Sequence, residues 1–254
     1  MKKWLCVVAA CALTLATNAY SECELRIGFE QWEPFQFKDN SGNFVGLDLE
    51  IVKAVLEETG CKANFIETSW QRLMVSIENG SMDIAMGASK APEREEYAHF
   101  SIPYRDETYA LFIRKNDSDK YKIKKLDDLV ENNLRFGIVR GYYYGKPFHE
   151  AIKTPKLKEL VEEARDDDTN IRKLKTGRIQ GCFIDPYAGA TKLRKMDLLN
   201  EIVKSSFAVE SGTIHAMFSK KSVSSDRVKV FDHGLQELKN SGRLAKIIQS
   251  YLGE

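Results

Sequence analysis

Short apolar runs alternate with helical stretches through the first third of this chain, and that alternation narrows the possible folds more than any other feature. Leu25-Arg26-Ile27-Gly28-Phe29 reads as a strand. Ile51, Val52, Val55 and Leu56 then recur at helical spacing, with Gly60 as a stop. Asn64-Phe65-Ile66-Glu67 reads as a second strand. Ser69 is placed to cap a helix that carries Leu73, Met74 and Ile77 and closes at Gly80. Asp83-Ile84-Ala85-Met86 reads as a third strand. Strands alternating with helices predict βαβ units, a parallel sheet and right-handed crossovers.

The pattern restarts near residue 105. Residues 109–114, 134–139 and 215–218 read as further strands, and Gly181-Cys182-Phe183-Ile184 as a buried one stopped by Asp185-Pro186. A helix ends at Gly177, and two more close the chain around 228–238 and 243–252. Two α/β units fit this better than one long sheet. A chain of 254 residues, 43% hydrophobic, is long enough to give each unit a core. The formal net charge is +1, with both signs interspersed, which argues against a nucleic-acid surface. The run Asp166-Asp167-Asp168 reads as a solvated loop or helix start.

After the third strand comes Gly87-Ala88-Ser89-Lys90-Ala91-Pro92-Glu93-Arg94. Pro92 suits the first position of a helix. A glycine lets a ligand approach the backbone, a serine donates through its hydroxyl, and an arginine clamps both oxygens of a carboxylate. The segment therefore has the chemistry to hold a small carboxylate. The plainer reading is a strand–loop–helix connection whose arginine pairs with Glu93, Glu95 or Glu96 on the surface.

The N-terminus reads as a targeting segment. Lys2 and Lys3 precede an apolar run from Trp4 to Ala16, and Ala19-Tyr20-Ser21 ends it with a small-x-small pattern. Residues 1–21 are thus a secretory signal peptide cleaved after Ser21, its apolar run too short for a membrane span. Lipidation at Cys11, in Val8-Ala9-Ala10-Cys11, is the minor alternative. Cleavage leaves Cys23, Cys61 and Cys182, an odd count for an oxidising compartment. Cys23 and Cys61 each precede a strand; if those strands are parallel neighbours, a disulfide between them is geometrically reasonable, and a free pair stays open. Cys182 reads as a buried free thiol. His99, His149, His215 and His233 have no metal spacing.

Taken together, these stretches resemble the bacterial extracellular solute-binding proteins of family 3, the polar amino-acid receptors of ABC importers. The likeness rests on ordered pieces over most of the mature chain: residues 25–30 followed by Trp32-x-Pro34-Phe35, Gly46-Leu47-Asp48-Leu49-Glu50, Asn79-Gly80-Ser81-Met82-Asp83, Pro92-Glu93-Arg94, and Phe100-Ser101-x-Pro103-Tyr104. The resemblance implies an α/β, two-lobed periplasmic-binding-protein fold of type II, with two Rossmann-like lobes joined by two hinge strands and closing around a ligand. Lobe one is expected at 22–105 and 212–254, and lobe two at 106–211.

By the same resemblance Arg94, helped by Ser89 and Gly87, holds the ligand carboxylate, and Asp185 holds its ammonium from lobe two. Trp32 and Trp70 pack on the ligand, the Gly141-Tyr142-Tyr143 turn offers backbone N–H groups, and Glu30 reads the side chain. Each has a plainer alternative: Asp185 before Pro186 is also a helix cap, the tryptophans suit a core, and Glu30 suits a surface. The loop to Pro34 is one residue shorter than in the family. Ala91 replaces a usual Thr or Ser, and Tyr142 to Tyr144 replace a smaller Gly-Thr-type loop, so the cleft is expected to be narrower or more aromatic.

The expected function is capture of a polar amino acid, with a basic or amide side chain favoured, in the periplasm. The partner is an inner-membrane ABC permease; the chain is a monomer, with no cofactor, metal, nucleic acid or catalysis. The alternatives are a cyclohexadienyl/prephenate dehydratase-like enzyme on the same fold and a ligand sensor for a membrane receptor.

Overall fold

The computed structural model describes residues 23–253. The expected signal peptide and the alternative lipidation site at Cys11 lie outside the described residues. The strands are β1 (Glu24–Phe29), β2 (Phe37–Lys38), β3 (Phe44–Val45), β4 (Lys62–Glu67), β5 (Ile84–Ser89), β6 (Ala98–Phe100), β7 (Arg105–Arg114), β8 (Phe136–Val139), β9 (Val161–Ala164), β10 (Gly181–Ile184) and β11 (Ile202–Ser219). The helices are α1 (Leu47–Thr59), α2 (Trp70–Asn79), α3 (Pro92–Glu95), α4 (Asp127–Glu131), α5 (Lys146–Ala151), α6 (Pro155–Lys158), α7 (Asp167–Lys175), α8 (Pro186–Lys195), α9 (Ser225–Asn240) and α10 (Arg243–Leu252).

One mixed sheet carries the order β4-β1-β5-β11-β7-β10-β8-β9, with β6 also paired to β11. The expected parallel units sit at its two ends: β4, β1 and β5 at one, and β10, β8 and β9 at the other. The centre is antiparallel, because the two long strands β7 and β11 run beside each other between those ends. They are the connections of a two-lobed fold.

β11 is much longer than the 215–218 run that its apolar content predicts. Its first part carries half-buried Ser205 between exposed Lys204 and exposed Ser206, so its sequence reads as a polar loop. Two irregularities interrupt its register with β7, one of them between Glu210 and Gly212. Gly212 there has φ +104, a left-handed conformation that glycine adopts at little cost.

Local packing explains why the elements sit where they do. α1 turns Leu47, Leu49, Ile51, Val52, Val55 and Leu56 inward, and Gly60 ends it in a left-handed C-cap. Gly28 of β1 lets α2 come close; a Cβ there would lie 2.1 Å from Leu73 Cδ1. The larger core runs from Leu25 and Ile27 through Phe218 to Ile171 and Cys182, and a second gathers Tyr109, Leu111, Phe136, Phe148 and Phe183. Cys23 and Cys61 form a disulfide at the paired starts of β1 and β4, and Cys182 is a buried free thiol.

Three expectations need correction. Gly87 and Ser89 belong to β5 itself, so the loop before α3 is only Lys90 and Ala91. Ser69 stands at the N-cap of α2 but makes no capping bond with its side chain. The acidic run is a helix start, as one of its two readings had it, with Asp166 capping α7 by accepting from the Thr169 N–H, but Asp167 is buried and not solvated.

Candidate functional site

Arg94 is the centre of the site. It sits in the single turn of α3, 7% exposed, and so is not the surface arginine of the plainer reading. Its Nη1 donates to the Ser89 carbonyl at 2.7 Å and its Nη2 to the Gly141 carbonyl at 2.9 Å. The guanidinium lies 5.3 Å from the Trp70 ring, in cation–π range. Among the described residues no carboxylate forms an ion pair with it. Burial pushes its pKa down, because nothing nearby fully replaces lost water.

Glu30 is the site's anion. It follows β1, at the carboxyl end of a strand in a parallel unit. Its Oε2 accepts from the Trp70 backbone N–H at 3.2 Å, so it supplies the helix-start acceptor that Ser69 does not. Its Oε1 accepts from the Tyr142 hydroxyl. Burial pushes its pKa up, and the two hydrogen bonds oppose that shift. The Tyr142 ring makes edge-on contacts with two indoles, its centroid 6.2 Å from that of Trp32 and 6.1 Å from that of Trp70. The Trp70 Nε1–H donates to the Gly141 carbonyl at 2.9 Å.

Glu30, Trp32, Trp70, Gly87, Ser89, Arg94, Tyr142 and Tyr143 line one cavity, joined by Gln36 and Tyr109. Its free volume is about 10 Å³, room for roughly one water. Two buried polar atoms on its wall, Trp32 Nε1 and Gln36 Oε1, have no hydrogen-bond partner.

Beneath the cavity lies a buried polar layer. Ser89 Oγ donates to Glu107 at 3.2 Å and lies 3.1 Å from Ser211 Oγ, which donates to the Tyr143 carbonyl at 2.8 Å. Ser89 thus spends its hydroxyl on this layer and offers its carbonyl to Arg94. Arg105 grips Asp48 with two bonds, 2.7 and 2.9 Å, and lies 3.9 Å from Glu107. Burial lifts the Glu107 pKa to about 7, against the pull of Arg105. Gly87, at φ +67, donates its N–H to Tyr104 Oη, and a Cβ there would lie 2.9 Å from Asp48 Oδ2.

Asp185 and the Gly141–Tyr143 turn both spend polar groups within the chain. Asp185 is buried outside the cavity lining, and its Oδ1 accepts from the Tyr187 and Ala188 N–H groups as the cap of α8. Burial lifts its pKa to about 6. The Gly141–Tyr143 turn presents a carbonyl to Arg94, while the Tyr142 N–H is spent on the Val139 carbonyl. The turn thus meets the arginine with the polarity of an anion.

Sequence reasoning passed over Gln36, Glu107, Tyr109 and Asp167. A signal existed for two of them. Arg105, Glu107 and Tyr109 alternate along β7 and share one face, but the strand was read only from residue 109, which left Arg105 and Glu107 outside it. For Asp167 there was none: burial pushes its pKa to about 7 on a helix start that looks like its exposed neighbours.

Comparison with known proteins places the chain in a family. The family described as bacterial extracellular solute-binding proteins, family 3, matches residues 25–254. The arginine-binding extracellular protein ArtP of Bacillus subtilis is 26% identical over 266 residues, covering 97% of this chain and 96% of that one. The L-cystine-binding protein TcyJ of Escherichia coli is 21% identical over 231 residues, 90% of this chain and 82% of that one. Among solved structures, a mutant of ArgBP from T. maritima superposes with a TM-score of 0.75 at 25% identity, covering 91% of this chain and 96% of that one. The fold is therefore the two-lobed, type II periplasmic-binding-protein fold, and the chain belongs to the bacterial extracellular solute-binding proteins of family 3.

Proposed function

We propose that this solute-binding protein captures a polar amino acid with a basic or amide side chain in the periplasm and delivers it to an inner-membrane ABC permease. The observation that carries the reading is Arg94: a buried guanidinium without a carboxylate partner, beside a cavity that also holds a buried carboxylate. Arg94 takes the ligand carboxylate. Glu30 takes a cationic or amide side chain lying between Trp32 and Trp70. Asp185, which uses Oδ1 for the helix cap, takes the ammonium through its other oxygen. Closure moves residues 106–211 against 22–105 and 212–254. The irregular register and left-handed Gly212 of β11 support a bend at the second of those boundaries. Arginine is the first ligand to try, because one of the compared proteins carries it in its name.

The test is a thermal-shift screen of residues 22–254 against the common amino acids. A ligand at a hundred times its Kd adds about 2.7 kcal/mol, a clear rise in Tm. A shift with arginine, lysine, histidine or glutamine supports the reading; no shift with any amino acid rejects it. A second reading has one observation behind it. Glu107, poised near neutrality and hydrogen-bonded to Ser89, has the character of a general acid. Prephenate in the same screen, followed for loss of water and carboxylate, tests that dehydratase-like alternative.

A further inference from the structure

The turn between β8 and α5 makes three contacts with the first lobe, and each one repeats what a ligand would do. The Gly141 carbonyl accepts from Arg94 Nη2, where a ligand carboxylate oxygen belongs. It also accepts from Trp70 Nε1. The Tyr142 hydroxyl donates to Glu30, where the head of a polar side chain belongs, and its ring makes edge-on contacts with Trp32 and Trp70. The turn is held in this posture from behind. Ser211 donates to the Tyr143 carbonyl, and Gly145 packs so closely on β11 that a Cβ would lie 2.1 Å from the Glu210 carbonyl oxygen. With these groups in place the cavity keeps only about 10 Å³, far less than an amino acid occupies.

We propose that the Gly141–Tyr142 turn is an internal stand-in for the solute, which holds the two lobes together and must be displaced from Arg94 and Glu30 before a solute binds. This rests on the reading of the cavity as the solute site. The consequence is a tax on affinity: only the fraction of molecules with the turn withdrawn is competent, and the apparent Kd rises by that factor. It also makes Tyr142 a determinant of specificity. A solute that offers both a carboxylate and a side-chain donor replaces both contacts, whereas one with an apolar side chain leaves the buried Glu30 without its partner.

The experiment uses wild type, Tyr142→Phe and Tyr142→Gly of residues 22–254. Two readouts are taken: small-angle X-ray scattering without solute, and calorimetric titration with L-arginine, L-histidine and L-cystine. The expected result is that Tyr142→Gly has a larger radius of gyration than wild type. Arginine should bind both variants about tenfold more tightly, the scale of one lost hydrogen bond to a charged acceptor. Tyr142→Phe keeps the ring and guards against a folding defect. Weaker binding in both variants, with unchanged scattering, overturns the proposal and makes Tyr142 an ordinary wall of the pocket. If no probe binds any form, the amino-acid reading fails separately. The stand-in is then judged by scattering: expansion of Tyr142→Gly retains its lobe-holding role, and no expansion removes it.

Discussion

Two buried arginines are linked through Ser89 and Glu107 in this protein, and they are built to opposite rules. Arg105 has its carboxylate: Asp48, itself fully buried, meets it with two short bonds, and Phe35 stacks on the guanidinium at 4.1 Å. Burial works against that charge, but Asp48 overrides it and raises the pKa above the usual value. Arg94 has carbonyls and an indole face but no carboxylate, and burial lowers its pKa. An ion pair complete within the chain is part of the framework. A buried cation satisfied only by dipoles keeps its attraction for an anion from outside. The contrast separates structure from function at one kind of side chain.

The largest effect that tests this contrast is on stability. Asp48→Asn takes away the carboxylate that meets Arg105 with two short bonds and leaves only Glu107, 3.9 Å away and poised near neutrality, so it should cost about 3 kcal/mol in urea unfolding. Arg94→Met replaces the other cation with an apolar chain of similar reach. It should change stability little while weakening arginine binding at least a hundredfold, about 2.8 kcal/mol. If both substitutions destabilise equally, the two arginines are both framework and the contrast is wrong.

Buried acids sharpen it from the other side. Asp167 has one oxygen without a hydrogen-bond partner, and burial lifts its pKa from 3.8 to about 7 even with Lys192 nearby. The folded state therefore holds a proton that the unfolded state releases between about pH 4 and 7. Its contribution is to lower stability as pH rises through that window, by up to about 1.4 kcal/mol per pH unit. Asp167→Asn removes the titration. Relative to wild type it should gain about 2 kcal/mol or more between pH 4 and 7 and then level off. Urea midpoints at pH 4, 5.5 and 7 check this; parallel curves would mean that Asp167 is already compensated.

How much of this was legible in the sequence follows from the range of the forces involved. The βαβ units were readable because apolar periodicity is local: Ile51, Val55 and Ile77 mark their buried faces without help from distant residues. Resemblance named Arg94, Trp32, Trp70 and Glu30 together, and these four residues line one cavity. The interior of β11 was not readable, because it is a strand through pairing with β7 and not through its own composition. Glu107 and Asp167 were missed for a related reason. A carboxylate looks the same in a sequence whether water or protein surrounds it. The orientation of the Gly141 peptide, carbonyl toward Arg94, is a matter of backbone dihedrals that no pattern of side chains encodes.

The smallest expected effect concerns Asp185, where a structural and a functional role meet on one carboxyl. As a cap it needs only an acceptor, and asparagine supplies one, so Asp185→Asn should leave unfolding free energy nearly unchanged near pH 4; because burial raises the folded pKa to about 6, the neutral side chain should then gain about 2 kcal/mol or more relative to wild type by pH 7. As the partner of a ligand ammonium it needs its charge. With a pKa raised by burial to about 6, that charge is mostly present at pH 7 and lost below pH 6. Two results then separate the roles. Arginine affinity at pH 7.5 should fall about tenfold in the variant, and wild-type affinity should weaken between pH 7 and 5 more than the variant's does. Equal affinities and parallel pH profiles would leave Asp185 as a cap alone. Glu107, hydrogen-bonded to the cavity-lining Ser89, would then be the next carboxyl to substitute in the same pair of measurements.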